Sequence, residues 1–238
     1  MKGNLRIDVL DVGVNLIISG FVKSVEGIFW EKMPKKDIYR GKEWSKLDPL
    51  RRALILLVSE GVKPGATFGL RYRVGLERVL EKLRLPYLSP EWDKNRYFYT
   101  IAKDDKTLLK YVGQVLDKDI TERQAHQIYG IFYGIPECCI DKYVGAFIVN
   151  ENFFYKRGKV FFDDLLKEYQ RLNGGYPDEL DYRIPGITPC KVDCDNMLKV
   201  CRQYRDVLLQ YDREAVEELR LFNKMGYRII RNQLHGPT

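Results

Sequence analysis

Four of the five cysteines in this chain, Cys138, Cys139, Cys190 and Cys194, fall where two helices are predicted to begin. In Gly134-Ile135-Pro136-Glu137-Cys138-Cys139 both thiols occupy the first turn after a proline, and Cys190 follows Pro189 directly. The first turn of a helix presents unpaired N–H groups and the positive end of the dipole, which favour thiolate over thiol. Thiolate is the form that attacks electrophiles, exchanges disulfides and binds metal. Lys142, Lys191 and His126, the interior one of two histidines, add polar groups to the neighbourhood. The chemistry open to such a set is a zinc or iron site, thiol redox exchange or a disulfide.

Each option makes a demand. A metal needs three or four ligands converging from separate elements. Cys190 and Cys194, spaced Cys-x3-Cys on one helix face, would supply two sulfurs, and a cysteine of the 138–139 pair with His126 would complete a tetrahedron. The spacing is not the Cys-x2-Cys knuckle, and adjacent cysteines rarely share one ion. A core reading competes with the site reading. If a helix runs on from Pro189, Cys190, Cys194 and Cys201 fall within roughly 40° of one another at about 100° per residue. Met197, Leu198, Tyr204 and Leu208 share that face while Lys199, Arg202 and Asp206 lie opposite, and free cysteine packs as a small hydrophobe. His126 has its own plain reading as a helix histidine. The site reading requires Cys138 or Cys139 to lie close to Cys190 or Cys194; sulfurs about 2 Å apart would mean a disulfide.

A second signal is positive charge. The formal net charge is +7 with a pI of about 9.0, which leans towards RNA, nucleotides or another anionic ligand, although 33 acidic residues are interspersed. Lys63-Pro64-Gly65-Ala66-Thr67-Phe68-Gly69-Leu70-Arg71-Tyr72-Arg73 is rich in glycine and precedes a predicted helix over 74–83. Lys63, Arg71 and Arg73 are its anion-binding candidates, with Tyr72 available for stacking. It lacks the Gly-Lys-Ser/Thr ending of a P-loop and the dinucleotide spacing, so a plain loop is the alternative. Arg78 and Lys82 extend the basic set, but Glu77 and Glu81 on the same helix offer partners. No Ser/His/Asp triad, paired-carboxylate signature or Walker motif assigns a catalytic residue.

The elements that must position these residues define an α+β protein, with an N-terminal sheet and packed helices followed by a predominantly helical C-terminal half. Residues 1–104 are expected to form an α/β subdomain and 105–238 a mainly helical one that carries the cysteines, unless both share one domain. Strands are predicted within residues 5–30 and over 96–102, with 31–48 as a loop or edge hairpin. Helices are predicted after Asp48-Pro49, over 106–116, from the capping box Thr121-Glu122-Arg123-Gln124 to Tyr133, over 137–148 and 161–172, and from Pro189 towards 225, in one piece or broken near Asp212. The N-terminus shows no secretory layout, and no apolar run reaches the roughly 20 residues of a spanning helix, so a soluble cytoplasmic protein is expected. Few histidines with many Lys, Arg, Glu and Tyr resemble hyperthermophile usage, a setting where internal disulfides are tolerated.

The pattern Tyr133-Gly134-Ile135-Pro136-Glu137-Cys138-Cys139-Ile140, followed by Pro189-Cys190-Lys191-Val192-Asp193-Cys194, resembles the archaeal "domain of unknown function 483" family over residues 120–210. The resemblance implies an archaeal source and these four cysteines as defining residues, with Cys201 outside the pattern. It carries no activity with it.

Overall fold

The computed structural model describes residues 34–70, 75–89, 91–93, 96–147, 177–184 and 189–223. The strands expected within 5–30 and the helix expected over 161–172 lie outside them.

Residues 34–48 are not a hairpin but two short helices, α1 (Lys35–Ile38) and α2 (Lys42–Ser45). Their polar composition hides two aromatic anchors: Tyr39 and Trp44 are both buried, with rings 4.9 Å apart. Helix α3 (Pro49–Ser59) starts where proline at the first position and an Asp48 cap predict, the carboxylate accepting from the Arg51 N–H at 3.1 Å. Gly61, at φ 72°, ends it. Its apolar run Ile55 to Val58 is wholly buried.

The glycine-rich stretch is strand β1 (Gly65–Leu70) rather than a phosphate loop. Ala66, Phe68 and Leu70 alternate into the core, a period that the glycines obscure. Gly65 has no side chain because the ring of Phe132 occupies the space a Cβ would fill. After α4 (Leu76–Leu83) come the short strands β2 (Tyr87–Leu88) and β3 (Glu91–Asp93), then β4 (Arg96–Ala102). Strand β4 is central and antiparallel to all three others; its register with β1 runs from Gly65↔Ala102 to Leu70↔Tyr97.

The sheet separates two apolar layers. Tyr99, Ile101, Tyr87, Ala66 and Phe68 join the main core, which continues through α3 and the C-terminal helices to Leu219. Leu88 and Ala102 belong to a smaller cluster on the other face with α5 (Asp105–Val115) and Phe132 of α6 (Glu122–Phe132). One core therefore draws on residues from both sides of position 105.

Thr121 and Gln124 form the capping box at the start of α6, and α7 (Glu137–Phe147) follows after a four-residue turn. A short 3-10 helix (Asp178–Tyr182) packs on α8 (Asp195–Tyr211), and α9 spans 213–223. The α8–α9 break falls at Asp212, whose carboxylate accepts from the Ala215 N–H at 3.0 Å and from Trp44 Nε1 at 3.2 Å. Arg52 reaches the same carboxylate at 3.1 Å. Among the described residues no helix is long and apolar enough to cross a membrane.

Candidate metal centre

Helix α6 ends in a motif that sets the direction of α7. The Gly134 N–H donates to the Ile131 carbonyl at 3.0 Å and the Ile135 N–H to the Gly130 carbonyl at 2.9 Å, the two bonds of a Schellman stop. Gly134 sits at φ 69°, where a side chain would be strained, and a Cβ there would lie 2.9 Å from Pro64 Cδ. Pro136 then opens α7: its carbonyl accepts from the Cys139 and Ile140 N–H groups at 2.9 and 3.0 Å. Cys138 and Cys139 are thereby held in the first turn, as their position after proline predicts.

The second pair arrives differently from the expectation. No helix begins at Pro189; residues 190–193 make bends and turns, closed by a 3.2 Å bond from the Cys194 N–H to the Lys191 carbonyl, and α8 begins at Asp195 with Cys194 as its N-cap. Cys190 is therefore off the helix, and the supposed stripe of three cysteines is broken. The Cys190 N–H donates to Cys139 Sγ at 3.3 Å, which ties this turn to the start of α7.

The four thiols meet. Cys138 Sγ lies 3.9 Å from Cys139 Sγ and 3.7 Å from Cys194 Sγ, and Cys139 Sγ lies 3.8 Å from Cys194 Sγ. Cys190 completes the group, all four ligand atoms falling within 4.8 Å of one another, so they could hold a metal ion. No pair is bonded; all five cysteines are free thiols. Adjacent cysteines do converge here, against the rule that weighed on the sequence. Asn196 Nδ2 donates to Cys138 Sγ at 3.6 Å, a contact that no spacing rule signals.

The thiols are not electrostatically alike. Burial opposes ionisation of Cys138, but hydrogen bonds from Asn196 and the neighbouring thiols outweigh it and hold its pKa below the ordinary value. Burial pushes Cys139 well above the thiol range and, with Cys194 beside it, pushes Cys190 up to about 11. Thiolates about 3.8 Å apart repel by roughly 4 kcal/mol per pair at an effective dielectric of about 20. A cation at the centre would offset that repulsion.

The remaining candidates lie elsewhere. His126 is half-buried on α6, its Nε2 3.9 Å from Glu122 and its ring 5.6 Å from that of Tyr143; burial lowers its pKa, and it does not join the four cysteines. Cys201 is fully buried, with its pKa pushed up to about 12 by burial, and packs in the core. Lys142 is exposed, and Lys191 pairs with Asp193 at 3.3 Å. Lys63 is 1% exposed and donates from Nζ to the Tyr133 carbonyl, so its amino group faces backbone rather than solvent. Arg71 and Arg73 lie outside the described residues. Lys82 meets Glu43 at 3.8 Å rather than an i,i+4 partner.

The fold and site together define an α+β protein with a four-cysteine centre between two helix starts. Comparison with family models, curated proteins and solved structures finds no match for the chain.

Proposed function

We propose that Cys138, Cys139, Cys190 and Cys194 bind one zinc or iron ion as a tetrathiolate centre that clips α7 to the start of α8. One observation carries this reading. A regular tetrahedron whose corners lie about 2.3 Å from its centre has edges of about 3.8 Å. Three sulfur separations of 3.7, 3.8 and 3.9 Å match that edge. A multi-iron cluster would hold its thiolates farther apart, because different irons carry them, so the 4.8 Å envelope favours a single ion. Four protein sulfurs leave no open coordination position, and Cys139 and Cys194 are buried, which favours a structural role over thiol exchange with a substrate. A reduced tetrathiolate suits a cytoplasmic setting. The likeness of these four positions to the "domain of unknown function 483" signature belongs to the same proposal.

Metal analysis of protein prepared without oxygen tests it. One equivalent of zinc or iron per chain is expected, reduced at least tenfold by Cys194→Ser, with cobalt substitution giving the visible absorption of tetrahedral thiolate coordination. A fully reduced chain that takes up none of these three metals would falsify the proposal. Recovery of two stable disulfides under reducing conditions would do the same.

A further inference from the structure

The geometry points to a second, separate site: a cavity of about 400 Å³ beside α5 and α6 that binds a nucleoside phosphate. This inference does not depend on the metal centre. Its rim carries Lys103, Lys106 and Lys110, all exposed, and none of the three is ion-paired among the described residues. Lys106 and Lys110 are one turn apart on α5, so their like charges repel across the helix face and contribute nothing to its stability. Lys103 is fixed just before the helix by a 3.0 Å bond from its N–H to the Pro64 carbonyl. The single acid of the lining, Asp104, caps α5 by accepting from the Thr107 N–H at 2.7 Å and offsets part of the charge of Lys103 and Lys106, which leaves the lining with a net positive charge.

The floor is of the opposite character. Ile128 and Ile131 of α6 line the cavity beside the lysines, backed by the buried, stacked Tyr111–Phe132 pair with centroids 3.9 Å apart. Ile131 is 64% exposed and so offers an accessible apolar surface to a ligand held by the lysines. A ligand that uses both halves has a flat apolar part and at least two negative charges. Gln114 adds an amide that can pair with the edge of a base. The volume lies in the range of small-molecule sites and suits a single nucleotide. Charge complementarity with three lysines selects phosphate.

Calorimetric titration of the full chain with ATP, adenosine, inorganic triphosphate and a short single-stranded RNA tests the assignment. Expected is one ATP per chain, bound more tightly than triphosphate or adenosine and weakened by salt. The double variant Lys106→Ala, Lys110→Ala should weaken ATP binding at least tenfold. Ile131→Ser, at an exposed position, should weaken ATP but leave triphosphate unchanged, and circular dichroism confirms that both variants stay folded. The inference is overturned if ATP does not bind, if triphosphate binds as tightly as ATP, or if neither variant alters ATP binding. Tighter binding of the RNA through the same lysines would also overturn it, in favour of a strand-binding surface.

Discussion

Lys63 confers a pH dependence on folding that follows from its surroundings. Its side chain is enclosed in the core, Nζ donating to the Tyr133 carbonyl and lying 5.2 Å from the centre of the Tyr133 ring. Among the described residues no carboxylate pairs with it. Burial disfavours the ammonium and pushes its pKa from 10.5 down to about 7. Between those two values the unfolded chain holds a proton that the folded chain has lost, so stability rises with pH across that window. Below it both states are charged and above it both are neutral, and the contribution is flat. The full fall corresponds to about 5 kcal/mol at ~1.36 kcal/mol per pKa unit. The bond to Tyr133 favours the charged form by about 1.5–3 kcal/mol, which narrows that window from its lower end, so the expected gain is about 2–3 kcal/mol. Lys63→Met keeps the apolar stem and removes the proton. Urea unfolding of both proteins, at matched metal content and at intervals from about pH 7 to about pH 10, should show the native chain gaining about 2–3 kcal/mol relative to the variant. Parallel curves would refute the reasoning, and a gain as pH falls would reverse its sign.

Three further outcomes are expected. Cys201→Ala should leave metal content unchanged while lowering unfolding free energy by about 1 kcal/mol, measured by metal analysis and denaturant titration, because this thiol packs in the core outside the four-sulfur group. Gly134→Ala should cost about 1–3 kcal/mol and weaken metal affinity together, read by thermal unfolding and competitive chelation, since φ 69° and Pro64 at 2.9 Å both oppose a Cβ where the chain turns into α7. Asp212→Ala should cost about 1–3 kcal/mol by denaturant titration, because it strips the α9 cap and the Trp44 bond while Arg52 keeps its ion pair with Glu214.

The local signals were readable wherever one residue type has one physical consequence. Asp48 before Pro49, the Thr121–Gln124 box, Gly134 and Asp212 each mark an element boundary, because capping and left-handed φ act over three or four residues. Two elements were obscured locally. Gly65 and Gly69 disguise β1 as a loop, since the reason for Gly65 is the Phe132 ring, a residue 67 positions away. Pro189 imitates a helix start, whereas the turn there is tied to another helix by the Cys190 N–H bond to Cys139 Sγ, a contact across 51 positions. Position along the chain says that Cys138, Cys139, Cys190 and Cys194 are chemically apt, and it says the same of Lys63. Only the packing of α7 against the start of α8 gathers the four sulfurs, and only the burial of the β1 approach turns Lys63 from solvent towards a carbonyl. Thiol pairing and lysine burial are long-range contacts, decided by how separate elements pack and not by the residues beside them.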